Sequence, residues 1–162
     1  LGLIFVNLIS SQVMAAYENM LSTMITLTFF IPLLIDTGGN TGSQSATLVV
    51  RALTTGDIKL ADWTKVLIKE ILVGGFLGVV LGLAGMVLGL LRGGAAIGLI
   101  VGLTMVSVVL FSNIIGMLLP FILTKMRLDP AVASSPLITS ICDAGGLLIY
   151  FSIASWVLKL NF

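Results

Sequence analysis

The stretch SPLITSICDAGGLLIYF, residues 135–151, holds one carboxylate, Asp143, in a run that is otherwise uncharged. The neighbouring charged residues along the chain are Asp129 and Lys159. An uncharged apolar run of this length is typical of a membrane-spanning helix. An ionised carboxylate near the centre of a bilayer is costly unless water, a counter-charge or a cation faces it. The stretch therefore predicts a membrane helix that carries a functional acid.

The composition of the whole chain points to the same class of protein. Of its 162 residues, 58% are hydrophobic and 9% are charged, and the mean hydropathy is +1.21, whereas soluble domains carry about 25% charged residues. The net charge is +1, histidine is absent and there is one cysteine. We therefore expect an all-α membrane protein with a lipid bilayer as its surroundings, and no nucleic-acid partner, disulfide framework, soft-metal cluster or enzymatic activity.

Uncharged runs predict five transmembrane helices, because a bilayer core takes about 20 apolar residues of helix. Their approximate ranges are 1–17, 21–54, 65–91, 94–124 and 130–159. The second range is too long for one straight crossing, so we expect a break within IDTGGNTGS, near residues 36–43. Glycines recur at every fourth residue in the third and fourth helices, which predicts close helix contacts in a scaffold or between subunits. These glycines are Gly74, Gly78 and Gly82, and Gly94, Gly98 and Gly102.

The distribution of basic residues predicts the orientation. Six of the eight lie near the connections between helices two and three and between helices four and five, and two lie on the opposite side. The positive-inside rule then places the N-terminus in the cytoplasm and the C-terminus outside the inner (plasma) membrane of the cell. The larger group comprises Arg51, Lys59, Lys65, Lys69, Lys125 and Arg127, and the smaller one Arg92 and Lys159.

Several candidate residues share one face of the fifth helix with Asp143. Pro136 lacks an N–H, so it frees backbone carbonyls on this face for an ion or its water shell. Two alternatives remain: Asp143 is a neutral acid bonded to nearby hydroxyls, and Asp129, which precedes Pro130, is a helix cap or a carboxylate at a pore mouth. The candidates on or beside this face are Asp129, Ser135, Pro136, Thr139, Asp143 and Gly146.

A second acid lies at a similar predicted depth in the second helix. Around it, glycines weaken the helix and polar side chains offer oxygens, and irregular backbone at membrane depth is tolerated where it lines a wet cavity. Alternatively, Gly38 and Gly39 admit a close helix crossing, and Asn40 occupies a left-handed turn. A dinucleotide-binding loop is excluded because no strand precedes these glycines. The pore-lining candidates here are Asp36, Asn40, Thr41 and Gln44.

Two segments resemble the signature sequences of the MgtE family of magnesium channels. They are IPLLIDTGGNTGSQSATLVVRAL, residues 31–53, and LDPAVASSPLITSICDAGGLLIYF, residues 128–151. The resemblance implies a homodimer whose second and fifth helices line a central pore. It also implies that Asp143 of both subunits binds hydrated Mg²⁺, that the carbonyl of Thr139 assists, and that Asn40 faces the pore.

The function implied is a magnesium-selective channel that passes hydrated Mg²⁺ down its electrochemical gradient into the cytoplasm, with Mn²⁺ and Co²⁺ as further candidate ions. We expect residues 1–162 to be the transmembrane pore domain alone, without the cytosolic N-terminal and CBS regulatory domains of the family. The main alternative is a proton- or sodium-coupled secondary transporter that uses Asp36 and Asp143, because midplane acids in broken helices are typical of such carriers. A structural membrane subunit is the third and least favoured class.

Overall fold

A computed structural model describes residues 2–132 and 135–159, and its regular structure there is entirely helical, without strands. The prediction of an all-α fold is therefore confirmed. The helices are α1 (Gly2–Ala16), α2 (Glu18–Thr23), α3 (Ile31–Thr55), α4 (Trp63–Lys125) and α5 (Ser135–Leu158). Short 3-10 segments cover Ile25–Phe30, Leu60–Asp62 and Pro130–Val132.

Helix α4 is a hairpin of two antiparallel arms, residues 63–93 and 95–125, which correspond to the predicted third and fourth helices. The chain reverses at Gly94, whose φ of 78° and ψ of −170° lie in a region that only glycine adopts readily. A Cβ atom on Gly89 would lie 2.7 Å from the Cα of Gly98, so the two backbones touch. The predicted close contacts are thus confirmed between two arms of one chain, which we call the glycine hairpin, for Gly82, Gly98 and Gly102 among others. The prediction is wrong for Gly94, which forms the reversal and has no neighbour within 4 Å of its Cβ position among the described residues.

Within residues 2–132 and 135–159, two segments are long and apolar enough to cross a bilayer, the run Leu60–Lys125 and helix α5. Large apolar side chains such as Leu72 and Phe76 project from the first arm of the glycine hairpin and are mostly exposed. Such a surface is unfavourable in water but suits the hydrocarbon core of a bilayer. The helices therefore fit a membrane protein.

The predicted break near residues 36–43 is wrong. Helix α3 is continuous from Ile31 to Thr55, and Asn40 is helical rather than in a left-handed turn. Gly38, Gly39 and Gly42 are buried on faces of α3 that touch its neighbours. A Cβ atom on Gly42 would lie 2.7 Å from the sulfur of Cys142, so this glycine permits a close crossing of α3 and α5. Of the two uses considered for these glycines, close helix contact is the one observed.

The interruption lies earlier in the chain, at Met24 and in the 3-10 segment Ile25–Phe30. Residues of this region pack on the C-terminal half of α5, where the ring of Tyr17 stacks on Phe151 at a centroid distance of 4.7 Å. Helix α5 begins at Ser135 rather than near residue 130, because Pro130–Val132 form a separate 3-10 turn.

Candidate cation site between helices α3 and α5

Asp143 lies on the face of α5 that packs against α3. Its side chain is half-buried, and its Oδ1 atom is fully buried without a hydrogen-bond partner among the described residues. The facing residue of α3 is Gly39, where an added Cβ atom would lie 3.6 Å from this oxygen. A buried carboxylate oxygen without a donor is unfavourable, so a proton, a cation or water must compensate it.

Three hydroxyl groups connect the same two helices one to two turns away from Asp143. Ser135 donates to Ser43 at 3.1 Å, Thr139 donates to the carbonyl of Ser135 at 2.8 Å, and the Ser43 and Thr139 oxygens lie 3.1 Å apart. Because all three protons can be used within this cluster, hydroxyl lone pairs remain available to water or a cation. We call Gly39, Ser43, Ser135, Thr139 and Asp143 the α3–α5 seam.

A row of exposed polar side chains runs along α3 beside the seam. Asp36, Asn40 and Gln44 follow one another at intervals of four residues and are all exposed. A groove of about 400 Å³ follows this row. Asp36 lies three residues, about one turn, before Gly39, the residue that faces Asp143. The groove is lined by Asn40, Ser43, Gln44, Thr47 and Leu48.

The remaining predicted residues lie apart from this group. The hydroxyl of Thr41 donates within its own helix, at 2.9 Å to the carbonyl of Thr37. Asp129 accepts the backbone N–H of Ala131 at 2.8 Å, which is a local turn contact before α5. Gly146 is buried against Val108 of the glycine hairpin.

Pro136 lies exposed in the first turn of α5, where an N–H has no partner within the helix, so its missing N–H frees no carbonyl of α5. Its own carbonyl is also occupied. It accepts the hydroxyl of Ser140 at 2.9 Å. The structure therefore groups Asp36, Asn40 and Gln44 of α3 with residues of the seam, and it leaves Pro136 at the edge of that group.

Ser43 and the contact behind α3 are not among the predicted site residues. Ser43 lies three residues after Asn40. The recurrence of polar residues at every third or fourth position of α3 is therefore a signal in the sequence that could have identified it. On the opposite face, Ser45 lies 3.0 Å from a carboxylate oxygen of Glu70 and 3.2 Å from the carbonyl of Asn113. Ser45 thereby links α3 to both arms of the glycine hairpin, and no local pattern indicates that contact.

The chain is similar in sequence to known proteins. The MgtE family model, described as a divalent cation transporter, matches residues 31–153. This chain belongs to the MgtE family. The matched residues contain α3, α4 and the Asp143 region of α5, and therefore the whole of the α3–α5 seam. The resemblance noted in the sequence is confirmed, and the family is one of ion transporters.

Curated members of the MgtE family align along nearly the whole chain. The chain is 42% identical over 159 residues to "Magnesium transporter MgtE" of Thermus thermophilus, which covers 97% of this chain and 35% of that protein. Identity to the protein of the same name from Enterococcus faecalis is 35% over 158 residues, with the same two coverages. For the Bacillus subtilis protein it is 32% over 154 residues, covering 94% and 34%. The chain thus spans about a third of the length of these relatives.

Proposed function

We propose that this chain forms the membrane pore of a magnesium channel. Two copies would line a path for hydrated Mg²⁺ with α3 and α5, the second and fifth helices of the sequence analysis. The observation that carries the proposal is the buried Oδ1 atom of Asp143, which has no hydrogen-bond partner among the described residues. The relatives are named magnesium transporters, which favours a divalent cation as the compensating charge.

The exposed polar row on α3 supports a second copy of the chain across this face. Asp36, Asn40 and Gln44 are exposed in a protein whose other outward surfaces are largely apolar. Lipid does not solvate such groups, whereas a two-fold partner that presents the same row would enclose them around water. Asp143 of both subunits would then give the path a charge of about −2.

The kinds of oxygen in the seam favour Mg²⁺ as the ion. Mg²⁺ prefers octahedral oxygen ligands at about 2.0–2.1 Å and sheds its water reluctantly, so one or two carboxylates suffice to hold it. Hydroxyl oxygens of Ser43 and Thr139 and the Thr139 carbonyl are suited to contact its water shell. Binding through water also leaves the ion free to depart, as conduction requires. Mn²⁺ and Co²⁺ share this ligand chemistry and would pass less well.

The direction of transport follows from the proposed topology. Helices α1, α3 and α5 and the two arms of the glycine hairpin would make five crossings, with the N-terminus in the cytoplasm of a cell's inner (plasma) membrane. An inside-negative potential of about 100 mV contributes about 4.6 kcal/mol per divalent ion that moves inward. That energy suffices to drive uptake without a coupled reaction.

The decisive experiment replaces Asp143 by Asn, which preserves volume and removes the charge. The purified chain and the variant are placed in liposomes with an imposed inside-negative potential, and Mg²⁺ uptake is followed with an internal dye. We expect uptake to fall by at least about tenfold. The matched control is Asp57→Asn, which makes the same change at an exposed position in the loop after α3. There the Asp57 carboxylate accepts a hydrogen bond from the hydroxyl of Thr55. This control is expected to leave uptake unchanged.

Two results would contradict the proposal. Undiminished uptake in Asp143→Asn would show that the charge of this carboxylate is not needed for transport. Uptake that requires a proton or sodium gradient would instead support a secondary transporter in which Asp36 and Asp143 exchange the coupling ion. Unitary Mg²⁺ currents in a planar bilayer would support the channel.

A further inference from the structure

Tyr150 forms a second hydrogen-bonded contact between α5 and the chain that leads into α3. Its side chain is 1% exposed, and its hydroxyl donates to the carbonyl of Leu27 at 2.8 Å. Leu27 belongs to the 3-10 segment Ile25–Phe30, which is followed directly by α3. A buried phenol needs an acceptor, so this bond has a structural role at least.

The position of Tyr150 along α5 relates it to the candidate site. Tyr150 lies seven residues after Asp143, which is about two turns, so both side chains share one face of the helix. This face meets the Leu27–Ser43 stretch at three levels: Tyr150 at Leu27, Asp143 at Gly39, and Thr139 at Ser43. Hydrogen bonds join the two parts of the chain at the first and third levels. The level between them holds the Oδ1 atom of Asp143, which has no hydrogen-bond partner in the part of the chain that the structure describes.

The hydrogen bond to Leu27 is important because the chain just before α3 has few α-helical backbone hydrogen bonds of its own. Met24 has φ of −128° and ψ of 72°, outside the helical region, and a 3-10 segment follows it. Short 3-10 segments have poorer hydrogen-bond geometry than α-helix. A bond from α5 therefore supplies an attachment for the start of α3, the end that carries Asp36.

We propose that the Tyr150 hydroxyl is a positioning group for the cation site. By holding the Leu27 carbonyl it sets the spacing of α3 and α5 at Asp143, and with it the discrimination between Mg²⁺ and larger cations. Mg²⁺ keeps a rigid octahedral shell of water that the seam must fit, whereas Ca²⁺ accepts flexible surroundings, so a looser seam would favour Ca²⁺ relative to Mg²⁺. This inference rests on the proposed function, because ion uptake is its readout.

The test compares Tyr150→Phe with the wild-type chain in liposomes under one fixed potential. Uptake of Mg²⁺ and of Ca²⁺ is measured separately, with half-saturating concentration and maximal rate for each ion. We expect the Mg²⁺-to-Ca²⁺ uptake ratio to fall by at least about threefold while Mg²⁺ uptake persists. Placing 4-aminophenylalanine at position 150 keeps a donor to the Leu27 carbonyl and should restore the ratio.

Tyr17→Phe is the matched control. Tyr17 is half-buried and stacks on Phe151, the residue next to Tyr150, and its ring contact survives the loss of the hydroxyl. We expect its uptake ratio to equal that of the wild type. A purely structural role of Tyr150 would lower the melting temperature and the maximal uptake of both ions in proportion, with the ratio unchanged, and that result would overturn the inference.

The two proposals fail separately. Wild-type uptake that does not depend on Asp143 refutes the proposed function, whereas Asp143-dependent uptake with an unchanged ratio in Tyr150→Phe refutes only the positioning role. If the Phe variant does not fold, an ester in place of the Leu27–Thr28 amide weakens the same carbonyl acceptor and keeps both side chains. The same fall in ratio is expected, and an unaltered ratio would again overturn the inference.

Discussion

In both the glycine hairpin and the α3–α5 seam, glycine allows two helices to approach closely, but the groups that meet are different. In the glycine hairpin, Gly89 lets the backbone of one arm touch Gly98 of the other. In the seam, Gly39 lets α3 approach α5 closely, but the groups that it meets there are the methyl of Thr139 and the carboxylate of Asp143. Close approach therefore brings backbone against backbone in the first contact and confines a charged side chain in the second.

We infer from this difference that the glycine hairpin mainly stabilises the bundle, whereas the seam mainly serves its function. Contacts between helices in lipid gain little from the hydrophobic effect, so small residues that permit van der Waals contact stabilise the glycine hairpin. The seam instead leaves one carboxylate oxygen without a donor among the described residues, which stability alone would not favour. Substitutions at matched glycines should therefore affect different properties in the two regions.

The largest effect on stability is expected for Gly89→Ala in the glycine hairpin. The new Cβ atom would lie 2.7 Å from the Cα of Gly98 and 2.9 Å from the Ile97 carbonyl, and backbone atoms cannot rotate away. We expect the arms to separate, at a cost in the range of about 1–3 kcal/mol that overpacking typically brings. Tryptophan fluorescence during thermal unfolding in detergent measures the loss.

The control for this variant is Gly75→Ala in the same arm. A Cβ atom there would lie 3.9 Å from a Leu110 methyl, which is an ordinary contact. Alanine favours helix over glycine by about 0.5–1 kcal/mol, so this variant should be at least as stable as the wild type. Equal melting temperatures for Gly75→Ala and Gly89→Ala would contradict the packing role of the hairpin.

An intermediate effect is expected for Gly39→Ala in the seam. The added Cβ atom would lie 2.8 Å from the Thr139 methyl, and Thr139 can turn this methyl away only by moving its hydroxyl from Ser135 and Ser43. Mg²⁺ uptake should fall by about fivefold, equivalent to about 1 kcal/mol, with a smaller loss of stability than in Gly89→Ala. Uptake in liposomes and thermal unfolding of the same preparation separate the two.

Thr139→Ser provides a compensating change for Gly39→Ala. Serine keeps the hydroxyl and removes the methyl that the new Cβ atom would meet. The double variant should recover most of the lost uptake. If it is as impaired as Gly39→Ala alone, contact with this methyl is not the cause of the defect.

The smallest effect is expected for Asp36→Asn. Asp36 is exposed, so its charge is solvated and acts on the seam through a screened interaction. We expect the half-saturating Mg²⁺ concentration to rise by about two- to threefold, with nearly unchanged maximal uptake. A loss as large as that in Asp143→Asn would mean that the two carboxylates contribute equally to the path.

Features that depend on local composition were open to prediction from the sequence. The helical membrane class follows from the uncharged runs, and the spacing of Gly78 and Gly82 indicates a contact face by itself. The error at residues 36–43 has a physical cause. Glycine both weakens a helix and allows close packing, and the positions of the neighbouring helices decide which use applies at Gly38 and Gly42.

Taken alone, the order of residues determined that the chain is helical and suited to a membrane, and that Asp143 lacks a compensating charge nearby along the chain. Only the tertiary structure decided what surrounds that acid. The Ser43–Ser135 and Leu27–Tyr150 bonds join residues 92 and 123 positions apart. Contacts over such separations depend on how whole helices cross, and that arrangement is set by the summed packing of all the helices rather than by any local pattern.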